Sequence, residues 1–258
     1  MLTIRQEQME VFRKEALRGF EDQMVIHLAE FSPPLFNAVK EPRMREVIRF
    51  GIARAANHGF TFRGSVRFYL ELMLLFGSHF DTDPQYPWAT KILDDQEAAP
   101  QMQRAEFLYE ATCEYRKQVA GHRDEYTLNA LRALPDLARQ ATAILAGDFV
   151  ANILQQMRRV YPQKASYVGD HGLRLVIESG ATMARHCGFS TVRAAALCVM
   201  LMSAFGHGCF HDPLYPWIGR TAWNERIKDP DARAMRLEKK ALTWLDHVLA
   251  CFDAEARA

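Results

Sequence analysis

The stretch FGSHFDTDPQYPW, Phe76 to Trp88, returns as FGHGCFHDPLYPW, Phe205 to Trp217, at an offset of 129 positions. The same offset holds upstream without a gap. Phe20 falls on Phe149, Pro33 on Pro162, Val39 on Val168, Arg45 on Arg174, Ile48 on Ile177, Gly51 on Gly180, Ala55 on Ala184, Gly59-Phe60 on Gly188-Phe189 and Met73 on Met202. A spacing kept through helices and loops alike indicates two tandem copies of a unit of about 75 residues.

Each copy reads as three helices. Apolar positions step by three and four at Phe20, Met24, Leu28 and Phe31, and again at Phe149, Ile153, Met157 and Val160, the amphipathic helical period. Pro33-Pro34 and Pro162 stop that helix, because proline lacks the amide donor and disfavours helix in the residue before it. A second helix is expected over 43–58 and 172–187, ended by Gly59 or Gly188 at a left-handed C′ position. Thr61 and Ser190 then serve as N-caps of a third helix over 61–76 and 190–205, closed by Gly77 or Gly206. Further helices are expected over 102–119 and 124–134, with Pro135 restarting the chain at an N1 position. A C-terminal amphipathic helix carries Leu237, Leu242, Leu245, Leu249 and Phe252. No β-branched, alternating run is long enough for a strand. The expected fold is therefore all-α, the first repeat with its linking helices over 1–125 and the second with the C-terminal helix over 126–258.

Asp83, Pro84, Tyr86, Pro87 and Trp88, and their counterparts Asp212, Pro213, Tyr215, Pro216 and Trp217, are the candidate structural or partner-binding loops. Asp-Pro sets a turn, and Pro87 or Pro216 begins a short helix. Each Tyr and Trp joins a large apolar body to one polar handle, which suits packing the loop onto the helices or anchoring a partner. Packing is the preferred reading, with Trp88 and Trp217 buried.

The chain has 258 residues, 49% hydrophobic and 24% charged, a globular composition. Its 32 Lys and Arg against 31 Asp and Glu lack the excess of positive charge expected of a nucleic-acid binder. The five cysteines are scattered, with no CxxC pair, as in a reducing compartment. The N-terminus shows no secretory h-region and the longest apolar run is too short to span a bilayer, so a cytoplasmic protein is expected. His207, Cys209, His211 and Asp212 form the one local set of metal-capable side chains. The first copy places Ser78, Phe80, Thr82 and Asp83 there, so neither metal nor cofactor is expected. Nor do GxSxG, P-loop, GxGxxG or HExxH motifs occur, and no catalytic residue is assigned. Arg43, Arg45, Arg49 and Arg54, with Arg63 and Arg67 nearby, read as a solvated face.

The opening RQEQMEVFRKEALRGFEDQMVIHL, the segment IRFGIARAANHGF and the loop FGSHFDTDPQYPWA resemble, over the first ~95 residues, a family of bacterial proteins encoded beside PAAR-domain or other effector genes of type VI secretion systems. The resemblance implies an accessory role, an adaptor, chaperone or co-effector whose partner is a secreted effector or a PAAR-type spike protein. An immunity protein neutralising a cognate toxin and a metal-dependent enzyme using the His207 set are the alternatives.

Overall fold

The computed structural model describes residues 6–95, 99–144 and 147–255. The regular structure among them is helical throughout, with no strand. The order is α1 (Gln6–Phe31), α2 (Pro33–Val39), α3 (Glu41–Asn57), α4 (Arg63–Phe76), α5 (Pro87–Asp94), α6 (Gln101–Tyr115), α7 (Glu125–Ile144), α8 (Phe149–Val160), α9 (Pro162–His186), α10 (Val192–Phe205), α11 (Pro216–Ala222) and α12 (Pro230–Glu255). A π turn, Arg116–Ala120, follows α6, and single 3₁₀ turns lie at Phe80–Thr82 and His122–Asp124. No helix among the described residues is long and apolar enough to cross a membrane.

Prolines both end one helix and start the next. α1 stops at Phe31 and Pro33 opens α2; α8 stops at Val160 and Pro162 opens α9. A ring that fixes φ and lacks an amide hydrogen suits the first turn, where that amide has no intrahelical partner. The second helix therefore starts earlier than expected in both halves. In the first half it is broken at Lys40, with φ 70° and ψ 152°. In α9 the corresponding break falls at Gly169, with φ 72° and ψ 167°. Gly59 (φ 69°) and Gly188 (φ 74°) take the left-handed conformation at the helix ends. There Phe60 N donates to Ala55 O and Phe189 N to Ala184 O, both at 2.9 Å.

Three expected boundaries are corrected. Thr61 does not cap α4, which begins after Phe62; instead Gln101 Oε1, reaching over from α6, accepts from Thr61 N (2.8 Å), Phe62 N (2.9 Å) and Ser65 Oγ (2.8 Å). Ser190 is likewise not the cap of α10. Thr191 is, accepting from Ala194 N at 3.2 Å, while Ser190 N donates to Asp231 of α12 at 2.9 Å. Pro135 lies inside α7 rather than restarting the chain.

The core forms two clusters. Leu28, Met44, Ile48, Tyr69, Met73 and Phe80 are among the buried side chains of the first. Ile153, Leu173, Ile177, Val199, Met202 and Leu237 are among those of the second. α3 and α4 approach closely at Gly51, where a Cβ would meet Leu70 Cδ2 at 2.3 Å. α9 and α10 do so at Gly180, where it would meet Val199 Cγ2 at 2.6 Å. Positions 129 apart thus make the same helix crossing. Leu214, from the second half, is buried in the first cluster.

Candidate functional site

Gly77 (φ 93°, ψ 154°) and Gly206 (φ 91°, ψ 152°) end α4 and α10 and turn each chain into its DPxYPW loop. The two glycines face one another: a Cβ on Gly77 would lie 2.5 Å from Phe205 O, and one on Gly206 3.0 Å from Phe76 O. Around this contact the loops exchange hydrogen bonds. Asp212 Oδ2 accepts from Ser78 N at 2.7 Å and Oδ1 from Ser78 Oγ at 2.6 Å. Reciprocally, Asp83 Oδ2 accepts from His207 N at 2.7 Å. Each aspartate also accepts from the amide two residues on, Gln85 N at 2.9 Å and Leu214 N at 2.8 Å, the local turn that Asp-Pro favours. Burial pushes the Asp212 carboxyl pKa up, against the donors from Ser78 and Leu214 that favour its charge. Gln85 crosses over as well, its Nε2 donating to Met202 O at 3.1 Å.

The aromatics lock each loop to its own half. Phe76 and Tyr86 have ring centroids 4.7 Å apart, and Phe205 and Tyr215 4.6 Å. Trp88 and Trp217 meet those phenylalanines edge-on at 5.9 Å and 5.8 Å. Tyr86 is buried, but Trp88 and Trp217 are only half-buried, in contrast to the expectation. They sit at the first turns of the short helices α5 and α11, which Pro87 and Pro216 open. Pro84 turns its carbonyl onto Gly172 of α9, and Pro213 is half-buried. Of the ten loop residues, Asp83 and Asp212 bond across between the two halves, while the tyrosines and tryptophans pack each loop onto its own half.

Beside the first loop lies a polar network that local motifs do not reveal. Asp81, 2% exposed, accepts from Arg54 Nη2 at 2.5 Å and from Tyr69 Oη at 2.8 Å, and lies 3.0 Å from His58 Nε2. Burial alone would raise its pKa, but the hydrogen bonds from His58, Arg54 and Tyr69 hold it well below the usual carboxylate range. The 129-residue offset places Met183, Cys187, Cys198 and Phe210 at the corresponding positions, an apolar set. This joint exchange of all four was the available signal. Arg54 accordingly leaves the solvated arginine face assigned to it, whereas Arg45 pairs with the exposed Asp22 and Glu41, and both Arg45 and Arg49 pair with the buried Glu21.

The metal-capable set of the second loop is dispersed. Cys209 is fully buried with its thiol pKa pushed up by burial, and Asp212 is committed to Ser78. The exposed His211 lies against Trp223 at 4.8 Å. His207 Nε2 is 3.4 Å from Thr82 Oγ1. Among the described residues no three His, Cys, Asp or Glu side chains gather to hold a metal. Burial lowers the pKa of the neighbouring His79 to about 4.

An unpartnered apolar feature lies on α1. Phe20, Met24, Val25 and Leu28 of this helix are buried in the first core cluster. From residue 19 back to residue 8 every side chain is exposed, so the helix leaves the body as an arm. Met9, Phe12 and Leu17 on it are 41%, 61% and 49% exposed. Met9, Phe12, Ala16 and Phe20 step by three and four, so the buried stripe runs on past the edge of the protein. Compared with known proteins, the chain matches no family model, no curated protein and no solved structure.

Proposed function

We propose that this chain is a non-catalytic accessory protein of a type VI secretion system, an adaptor or chaperone that binds an effector or PAAR-type protein through the projecting arm of α1. In this reading the two related segments descend from one duplicated three-helix unit, and their DPxYPW loops are the clamp that keeps the halves together rather than the partner-binding surface. The observation that carries the proposal is the apolar stripe of α1 beyond Phe20. A helix face with Met9 and Phe12 in water is costly unless it is covered, and anchors at helical spacing are what an amphipathic partner helix recognises. The class of partner rests on the resemblance of the opening segment, which contains the arm.

Co-expression with the effector and PAAR-type proteins encoded beside it, followed by purification, tests this. Wild-type protein is expected to retain one of them and Phe12→Glu to lose it by about tenfold or more in Kd, as truncation of a central anchor does. Equal retention by the two forms, or retention of neither protein by the wild type, overturns the proposal.

A further inference from the structure

Away from the arm and the loops, a cavity of about 380 Å³ lies among α4, α7, α8, α9 and α10, with the π turn and Trp244 of α12 in its wall. Its lining is mostly apolar, including Leu75, Val119, Leu131, Met157 and Met200. Two cations line it: Arg116, which pairs with the Asp124 carboxylate at 3.3 Å, and Lys164. Lys164 Nζ donates to Ser203 O at 2.7 Å and lies 6.0 Å from the Tyr86 ring centroid. Lys164 is half-buried and lines the cavity. Burial lowers its pKa to about 8, and Asp83 favours its charge only through space. Among the described residues no carboxylate pairs with it at 4.0 Å or less.

A half-buried ammonium with one of its three donors used and no carboxylate partner, in a mostly apolar chamber, is an unfinished arrangement by the usual rule that charges withdrawn from water are paired. Two further polar atoms of the lining are without a partner, of which the Ser203 hydroxyl can donate to an anion. Gln156 is 9% exposed, and its Oε1 has no partner; Ser203 Oγ, beside the carbonyl that Lys164 uses, has none either. The π turn is a further mark, since such turns are frequent at ligand sites.

We infer that the cavity is a binding site for a single-chain amphipathic monocarboxylate, its carboxylate held by Lys164 Nζ and Ser203 Oγ and its hydrocarbon tail lying among the apolar side chains. The volume sets the size. At roughly 30 Å³ per non-hydrogen atom, the share a water takes in the liquid, the cavity holds about a dozen such atoms, the size of decanoate. Apolar burial supplies affinity and the single polar anchor supplies orientation, as in small-molecule pockets generally.

Calorimetric titration of the full chain at pH 7 with decanoate, decanol and decylamine tests this. Decanoate is expected to bind about tenfold or more tighter than decanol, because only its charge completes the lysine, and decylamine is expected to bind weakest. Lys164→Met is expected to bind decanol as the wild type does and to lose the preference for decanoate. Decanoate binding no tighter than decanol, binding of none of the three, or undiminished decanoate binding by Lys164→Met overturns the inference. If Lys164→Met does not fold, the three-ligand series on wild-type protein decides alone. Phe12→Glu is expected to leave decanoate affinity unchanged, which separates this site from the arm.

Discussion

Asp212→Ala removes one side of the clamp and exposes how much the loops contribute to holding the halves together. The carboxylate is 3% exposed and accepts from Ser78 N, Ser78 Oγ and Leu214 N at 2.7, 2.6 and 2.8 Å. Truncation leaves two amides and a hydroxyl in the interior without an acceptor, each costing about 1–3 kcal/mol. The desolvation that raises the Asp212 pKa is relieved by the same change and offsets part of that. The net expected loss is about 3–4 kcal/mol, a large share of a typical domain's stability. Urea unfolding followed by circular dichroism at 222 nm measures it. Ser78→Ala removes one of the three bonds, and the double variant Ser78→Ala/Asp212→Ala should depart from additivity by about 1 kcal/mol or more, as residues in one network do. A loss below about 1 kcal/mol for Asp212→Ala, or additive single variants, would refute the clamp.

Other expectations follow from single positions. Asp81→Ala leaves the half-buried Arg54 without its carboxylate and Tyr69 Oη without its acceptor, and is expected to cost about 2–4 kcal/mol in the same unfolding assay; exchanging Arg54, His58, Tyr69 and Asp81 together for Met, Cys, Cys and Phe is expected to cost less than Asp81→Ala alone. His79 has its pKa lowered from 6.5 to about 4, so between those values the unfolded chain binds more protons than the folded one and stability rises with pH. Its contribution is complete above about pH 6.5 and is lost as pH falls towards 4, by about 3 kcal/mol, and His79→Gln should flatten that slope in melts across pH 4–7. Lys40 holds φ 70° and ψ 152°, a region that glycine alone adopts without strain, so Lys40→Gly is expected to raise stability by about 1 kcal/mol; a loss of stability would contradict the account of the α2–α3 break.

The helical class of the fold was legible because apolar periodicity and glycine or proline punctuation are local signals. Gly59, Gly188, Gly77 and Gly206 all take the positive φ that glycine at a helix end suggests. What sequence reading missed was set at a distance. The caps of α4 and α10 fell to other positions because Gln101 and Asp231, some 40 residues away, take up the amides near Thr61 and Ser190. Pro135 stays inside α7, where proline was expected to begin a helix. Trp88 and Trp217, expected to be buried, are half-buried. The reciprocal bonds of Asp83 and Asp212 could not be read from either loop alone, since each partner lies in the other half. The Asp81 network was written in the sequence as four polar residues set against Met183, Cys187, Cys198 and Phe210, but it is recognised only when the four are compared together. The Lys164 cavity has no local signature, its walls coming from at least six helices.

The most direct test of the proposed partner binding by the α1 arm is amide hydrogen exchange on the full chain, alone and mixed with the effector or PAAR-type protein proposed as its partner. The account predicts that residues 8–19 exchange rapidly in the free protein and become protected in the complex, while the loops over 76–88 and 205–217 are slow in both. Protection appearing in those loops, with the arm unchanged, would contradict it.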